Sequence, residues 1–284
     1  MASMATTTRP SMRAASTVDR RVDGDAAVAT RRARWGAIRP RAGGARARAR
    51  RGWMTTCASS RRSRASARAA TETRRPRERD GGEASSSARS ALDKSGGLLY
   101  VRNFFDAATS ARVREECEKM RGSVTLEHRA CARQRLGMMV PSDNFVHEAC
   151  VAKEVAERLS GLLLGEGHGA NLVAGDVPVE YRVYPVGGSM DWHKDVALYT
   201  QPQYEIVYTV TNTSDSTTEW EDERTGMRYG GWTEPNSVIV VRAEGAPHRV
   251  TGVTRGERSI IKFVLTQTLE KTDDFFDNLL TYTH

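Results

Sequence analysis

The sequence predicts an α+β domain in which helices come first and a β-sandwich, barrel or jelly roll follows. Two features of the sequence after residue 95 predict this fold class. Apolar residues recur with a helical period up to about residue 164, and the period changes to two after Asn171. Runs of β-branched and aromatic residues are then separated by turn residues at regular intervals.

The N-terminal segment, residues 1–70, is predicted to be disordered and to act as an organelle transit peptide. Residues 1–80 contain 21 Arg, no Lys and 6 Asp or Glu, a net charge of +15, and few large aliphatic side chains to offset chain entropy. An uncharged, hydroxylated start, Met1–Thr8, precedes Arg- and Ser-rich sequence, as is typical of transit peptides. That start favours the chloroplast stroma, with the plastid import machinery as a partner, over the mitochondrion. The alternative is an Arg-rich arm that binds RNA or an acidic partner.

Residues 71–95 are predicted to be a flexible linker, and residues 96–284 the folded domain. The domain carries a net charge of −7, so the basic pI of about 9.6 belongs to the tail and nucleic acid is an unlikely partner of the domain. No apolar run approaches the ~20 residues that a membrane span needs. The four cysteines form no C-x-x-C pair, which excludes a zinc ribbon and a dithiol redox motif and predicts ordinary buried thiols.

Two helices are expected early in the domain. The first, Thr109–Met120, places Val113, Cys117 and Met120 on one face. The second runs from about Phe145 to Leu164, with Asp143 as its N-cap and a glycine-rich end. Its apolar stripe is Val151, Val155, Leu159 and Leu163.

Six strands and a short terminal helix complete the predicted elements. The strands are Leu98–Val101, Leu136–Val140, Val179–Tyr184, Tyr204–Thr211, Ser237–Val241 and Ser259–Leu265. The helix is Asp273–Tyr282, and the charged run Glu219–Arg224 is predicted to be a solvated loop.

Two histidines and one carboxylate form the candidate site. His193 and Asp195 are two residues apart, so on a strand both side chains would lie on one face. His248 follows a turn-like segment, Glu244–Pro247, and is the candidate third ligand. Two imidazoles and a carboxylate on one octahedral face leave three open positions, which suits Fe(II) and oxygen chemistry better than zinc. A lone His-x-Asp arises often by chance. It is evidence for a metal site only in combination with other residues at the expected separations.

The joint pattern resembles the iron(II)- and 2-oxoglutarate-dependent oxygenases, in particular the branch similar to prolyl 4-hydroxylases. Arg258 follows His248 by ten residues, where that family has a basic residue for the distal carboxylate of 2-oxoglutarate. Tyr184 precedes His193 by nine residues, where the family often has a Tyr on the same carboxylate. The resemblance covers about residues 179–268.

The resemblance implies a double-stranded β-helix (jelly roll) and a dioxygenase with Fe(II), 2-oxoglutarate and O2, and with ascorbate as a candidate reductant. His193, Asp195 and His248 would be the catalytic metal ligands. Arg258 and Tyr184 would bind the cosubstrate, with Tyr208 or Thr209 as a second contact.

The implied reaction is hydroxylation of an unidentified small-molecule or peptide substrate, with release of succinate and CO2. The loop between residues 217 and 232 lacks the Gly-Gly-Glu-Thr run common in peptidyl-prolyl hydroxylases, which argues against a proline-rich peptide. Trp192 and Trp232 are expected either to line the pocket or to pack elsewhere. The alternative function is a catalytically inactive jelly-roll protein that binds or scaffolds.

Overall fold

The computed structural model describes residues 36–37, 90–165 and 171–279. The predicted transit peptide and linker therefore lie outside the described residues, apart from the strand Gly36–Ala37 (β1) and residues 90–95. Within the described ranges, no helix is both long enough and apolar enough to cross a membrane.

Helices and strands follow one another in the order predicted, with helices mostly ahead of the sheet strands. The helices are α1 (Ala91–Lys94), α2 (Ala107–Met120), α3 (Phe145–Val151), α4 (Lys153–Leu163) and α5 (Asp273–Leu279), with a 3-10 turn at Arg121–Ser123. The early strands are β2 (Leu98–Arg102), β3 (Thr125–Leu126), β4 (Ala132–Arg133), β5 (Leu136–Met139) and β6 (Val173–Ala174). The later strands are β7 (Glu180–Tyr184), β8 (Ser189–His193), β9 (Gln203–Asn212), β10 (Thr218–Glu221), β11 (Arg228–Gly231), β12 (Ser237–Arg242), β13 (His248–Val250) and β14 (Arg258–Thr266).

The two predicted helices fared differently. The first is confirmed as α2, with its predicted apolar face buried and Asp106 as N-cap. The second is two helices, because the backbone of Ala152 is extended (ψ 138°), and its cap is Asn144 rather than Asp143. The buried residues explain the break: Cys150 and Val155 are five residues apart, an offset of about 140° around a straight helix. Two separate helices can each turn their own apolar face inward.

The strands form two antiparallel sheets that face each other. The larger sheet has the order β2-β12-β9-β14-β7-β5-β3, with β6 beside β14, and the smaller has the order β1-β11-β10-β13-β8-β4. Consecutive strands from β7 onward alternate between the two sheets, except that β10 and β11 form a hairpin in the smaller one. This arrangement is a jelly roll, and the predicted fold class is confirmed.

The main core lies between the helices and the outer face of the larger sheet. Val113 and Cys117 of α2 and Leu159 of α4 pack in one cluster with alternate residues of β9 and β14, among them Ile206 and Phe263. The opposite, inner faces of the two sheets enclose smaller apolar clusters and the candidate site. Because the main apolar core lies between the helices and the outer face of the larger sheet, the inner faces of the two sheets can carry polar side chains.

Two local expectations were wrong. Residues 219–221 are not a solvated loop, although Glu223 and Arg224 lie in an exposed turn as predicted: β10 alternates, so Thr218 and Trp220 are buried inside while Glu219 and Glu221 point outward. Cys117 and Cys150 are buried free thiols, as expected, and burial raises the pKa of the Cys117 thiol to about 12. Cys131, however, is disulfide-bonded.

Candidate active site

Antiparallel pairing of β13 with β8 brings the two candidate histidines together. His193 is the last residue of β8 and lies directly opposite His248, the first residue of β13. Asp195 lies two residues beyond the end of β8, not on the strand as the sequence suggested. Its backbone carbonyl accepts a hydrogen bond from the backbone N–H of Glu244 (2.7 Å), which ties its loop to the turn before His248.

The three predicted ligands converge on one point. Oδ1 of Asp195 lies 3.9 Å from Nε2 of His193, and Oδ2 lies 3.5 Å from Nε2 of His248. One ligand atom from each residue lies within 4.8 Å of the other two. Two ligands about 2.1 Å from one ion are at most about 4.2 Å apart, so both distances from Asp195 fit a shared metal, and ligand atoms at the 4.8 Å limit would move together by about 0.6 Å to bind it.

Backbone carbonyls set the orientation of both imidazoles. Nδ1 of His193 hydrogen-bonds the carbonyl of Asp191 (2.9 Å), and Nδ1 of His248 hydrogen-bonds the carbonyl of Ala246 (3.1 Å). A carbonyl only accepts, so each Nδ1 carries the proton and each Nε2 presents a lone pair toward Asp195. Such contacts fix the tautomer and ring orientation that metal binding requires.

Burial and neighbouring charges keep the site ready to bind a metal. His193 is 2% exposed, and burial together with the nearby His248 lowers the pKa of its imidazole to about 3. Burial alone would raise the pKa of Asp195, but the charges of His248 and Lys262 outweigh it and hold that pKa below its usual range. At neutral pH His193 is therefore neutral and Asp195 ionised, the protonation states of metal ligands.

A buried guanidinium lies in the same pocket. Arg258 is 1% exposed and is the first residue of β14. Its Nη1 donates to Oγ1 of Thr218 (2.8 Å), while its Nε has no hydrogen-bond partner among the described residues. Within those residues it forms no ion pair with a carboxylate, and burial lowers its pKa. An arginine buried in this way is a built site for an anion.

Tyr184 lies opposite Arg258, as the pairing of β7 with β14 dictates. The ring of Tyr184 is 1% exposed and its centroid lies 6.0 Å from the Arg258 guanidinium carbon. The phenol oxygen of Tyr184 accepts a hydrogen bond from Nη1 of Arg135 (3.2 Å). Both predicted cosubstrate residues therefore lie in one pocket with the three metal-ligand candidates.

The rest of the pocket wall combines aliphatic and cationic side chains. Its aliphatic lining is Met190, Val207, Ile239, Val241, Val250 and Ile260. Two further cations, Arg182 and Lys262, also line it. Arg182 forms ion pairs with Glu180 and with Glu127 (3.2 Å), and Lys262 pairs with Glu205 (2.8 Å), so these two charges are neutralised by protein carboxylates.

Four residues considered from the sequence do not line this pocket. Tyr208 points to the helix side of the sheet, where it contacts Phe105 and shares a hydrogen bond with Ser110 (3.0 Å). Thr209 donates to Thr233 inside the domain (3.1 Å). The Trp192 ring contacts the guanidinium groups of Arg228 (4.8 Å) and Arg249 (5.1 Å), and Trp232 is 46% exposed.

Sequence reasoning missed Thr218, Arg182, Lys262 and Arg135. A period of two would have found Arg182, two residues before Tyr184, and Lys262, four residues after Arg258. Thr218 and Arg135 had no comparable signal, because β10 and the segment before β5 were not predicted to face the site.

No protein-family model and no curated protein matches the sequence. Solved structures do match. A Pseudomonas putida prolyl-4-hydroxylase aligns with 64% of this chain and 98% of its own, at 15% identity and a TM-score of 0.51. A Burkholderia pseudomallei oxidoreductase of the 2OG-Fe(II) oxygenase family aligns with 64% and 91%, at 13% identity and a TM-score of 0.52.

The chain has the fold of the iron(II)- and 2-oxoglutarate-dependent oxygenases. The resemblance seen in the sequence is thus confirmed at the level of the fold, and the His-Asp-His cluster fits it. The epimerase SnoN from nogalamycin biosynthesis, described as non-heme and alpha-ketoglutarate dependent, also aligns, over 62% of this chain and 79% of its own, at 11% identity and a TM-score of 0.50. Another structure of SnoN contains Fe3+, alpha-ketoglutarate and nogalamycin RO.

The depressed pKa of His193 predicts how stability depends on pH without metal. Between pH 6.5, the ordinary value, and about 3, the unfolded chain binds a proton at this histidine that the folded protein does not. The free energy of unfolding should therefore fall as pH drops through this window, by up to about 1.4 kcal/mol per pH unit from this residue. In His193→Gln the slope should be smaller by about that amount, measured by urea unfolding in chelator-containing buffer from about pH 7 to 4.5.

The chosen window separates His193 from Asp195, whose lowered pKa acts only below the ordinary value of 3.8. His128→Gln removes an exposed imidazole and is the matched control, expected to keep the wild-type slope. Equal slopes for wild type and His193→Gln would contradict the assignment of His193 as a neutral, buried ligand.

Proposed function

We propose that this protein is an Fe(II)- and 2-oxoglutarate-dependent dioxygenase that hydroxylates a small-molecule or peptide substrate and releases succinate and CO2. The observation that carries the proposal is the guanidinium of Arg258, which has no carboxylate partner among the described residues and lies in the same pocket as a convergent His-Asp-His cluster. A jelly roll that only bound or scaffolded would gain nothing from burying both groups together.

The chain's own groups divide the work between two ends of the pocket. His193, Asp195 and His248 would hold Fe(II) on one face, and the metal would supply the activation of O2 and the oxidative decarboxylation of 2-oxoglutarate. At the other end the fork of Arg258 donors would receive the distal carboxylate, assisted by the hydroxyl groups of Thr218 and Tyr184. The aliphatic wall excludes water between these two ends.

The choice of hydroxylation over related chemistry rests on the sequence pattern, which resembles that of the prolyl 4-hydroxylase branch. The fold alone does not choose, because a prolyl-4-hydroxylase and an epimerase both share it. The proposal also includes O2 as a reactant and ascorbate as a reductant, because both would act together with the metal. The substrate is not identified.

The first test is turnover of the full chain with Fe(II), 2-oxoglutarate, ascorbate and O2. We expect succinate to form, detected by mass spectrometry, and His193→Ala to abolish it because two protein ligands hold the metal poorly. His128→Ala, which removes an exposed imidazole, should keep the wild-type rate. If succinate does not form and the protein fails to bind Fe(II), the alternative of an inactive binding or scaffold protein is favoured.

Replacing Arg258 tests the cosubstrate half of the site by two opposite effects. Arg258→Met should weaken binding of 2-oxoglutarate by roughly 100-fold, because a buried charge pair is lost. The same change should raise the free energy of unfolding of the ligand-free protein by about 1–3 kcal/mol, because it removes a buried charge without a carboxylate partner.

Calorimetric titration of the Mn(II)-loaded protein measures the binding, and urea unfolding measures the stability. Arg255→Met is the matched control: it makes the same change at an exposed position three residues earlier and should alter neither quantity. A less stable Arg258→Met protein that binds 2-oxoglutarate normally would show that Arg258 is structural.

For the N-terminal segment we propose a transit peptide that delivers the domain to the chloroplast stroma through the import machinery. Its support is composition: 21 Arg among residues 1–80 with only 6 acidic residues. Residues 1–70 fused to a fluorescent protein should enter plastids, and a fusion that carries residues 96–284 alone should not. Accumulation in mitochondria would favour the alternative organelle, and cytosolic retention would favour an attached Arg-rich arm.

A further inference from the structure

Arg135 occupies a position where the chain passes from one sheet to the other. It follows β4, which belongs to the smaller sheet, and directly precedes β5, which belongs to the larger one. Gln134 just before it has a positive φ of 48°, a left-handed backbone that turns the chain sharply at this point. The Arg135 side chain is completely buried, with 0% exposure.

The donors of Arg135 are divided between a carboxylate and the phenol. Its Nε donates to Glu127 (2.6 Å), and its Nη2 forms an ion pair with the same carboxylate. Its Nη1 lies 3.2 Å from the Tyr184 oxygen and 2.9 Å from Sδ of Met190. Glu127 neutralises this guanidinium, so Arg135, unlike Arg258, does not need a ligand carboxylate.

The hydrogen bond from Arg135 determines the role of the Tyr184 hydroxyl. A guanidinium can only donate, so the phenol oxygen is the acceptor and its own proton must point elsewhere. Among the described residues, that proton is donated to Sδ of Met190 at 3.7 Å, a weak acceptor. The proton of Tyr184 is therefore available to a stronger acceptor bound near Arg258, on the neighbouring strand.

We propose that Arg135 is a positioning residue for the cosubstrate: by donating to the Tyr184 oxygen, it fixes the phenol as a donor to the carboxylate held by Arg258. The proposal rests on the proposed function. In this arrangement Arg258 and Tyr184 contact the carboxylate directly, and Arg135 does not. It also predicts that Arg135 acts on 2-oxoglutarate only through Tyr184.

The test is a double-mutant cycle on the Mn(II)-loaded full chain, with Arg135→Met, Tyr184→Phe and the double variant. Calorimetry measures the Kd of 2-oxoglutarate and of 2-oxobutyrate, which is also a 2-oxo acid but lacks the distal carboxylate. Each single change should weaken 2-oxoglutarate by about tenfold, as expected for one charge-assisted hydrogen bond, and the double variant should be no weaker than Tyr184→Phe alone. Binding of 2-oxobutyrate should be unchanged in all variants.

The comparison of the two ligands separates positioning from general damage to the fold. If Arg135→Met weakens both ligands alike, or if its effect adds fully to that of Tyr184→Phe, the proposal is overturned. Arg133→Met is the matched control, because Arg133 lies two residues earlier with an exposed partner, Asp191, and should not affect either Kd.

Loss of Arg135 also leaves Glu127 with one fewer partner, so Arg135→Lys provides a second variant that keeps a charge there. The lysine should preserve the fold but weaken 2-oxoglutarate, because a single ammonium cannot reproduce the guanidinium's contacts to both Glu127 and Tyr184. Wild-type affinity in a folded Arg135→Lys protein would overturn the proposal. Wild type that binds 2-oxoglutarate no better than 2-oxobutyrate would refute the proposed function itself.

Discussion

The buried charge of Arg258 is the constraint on which the candidate site depends. A guanidinium at 1% exposure is costly when its hydrogen bond is to a neutral hydroxyl, because burial removes water and no carboxylate in the described part of the chain replaces it. The two other cations on the pocket wall, Arg182 and Lys262, do not share this cost, since Glu180 and Glu205 neutralise them. The need for an anion is therefore confined to one end of the pocket. Binding sites often contain groups of this kind, which lower the stability of the fold but are needed for function.

The register of β14 places the side chain of Arg258 in the pocket. Because side chains alternate along a strand, a slip of one residue would turn Arg258 out of the pocket and bring Glu257 or Ser259 to its position. The register is secured by β9, β12 and β14, which are buried along nearly their whole length. Irregular pairing occurs only locally, between Ser259 and Ile260 and between His248 and Val250. Bulges of this kind re-aim side chains beside sites without disturbing the sheet.

The same difference in burial explains what the sequence could predict. Strands of the larger sheet are covered on both faces, so they appear in the sequence as long apolar runs, and those centred on Ile206, Val240 and Ile261 were recognised. Strands of the smaller sheet are short and half solvated. The strand around Trp220 therefore looked like a charged loop, and Thr218 at its start was missed.

Ligand residues were easier to predict than their surroundings. His193, Asp195 and His248 have side-chain types and spacings that few other structures require, and the sequence found all three. Arg135 had no such signal, because its burial depends on Glu127 and on the turn at Gln134, neither of which forms a motif. The break at Ala152 was equally hidden, since alanine is the strongest helix former and only the offset between two buried faces explains it.

Charge balance connects the two halves of the site. Four cations and four anions, each less than one fifth exposed, lie in the pocket or directly behind its wall: Arg135, Arg182, Lys262 and Arg258, and Glu127, Glu180, Glu205 and Asp195. Glu127, Glu180 and Glu205 pair with Arg135, Arg182 and Lys262, so Arg258 and Asp195 are the charges left at the two ends of the pocket. A divalent metal at the His-Asp-His cluster would add two positive charges in a low-dielectric space, where uncompensated charge is expensive. A dicarboxylate that reached from the metal to Arg258 would restore neutrality, whereas a monocarboxylate would leave the Arg258 end unpaired. The charges of the chain thus favour a dianionic cosubstrate once a divalent metal is bound.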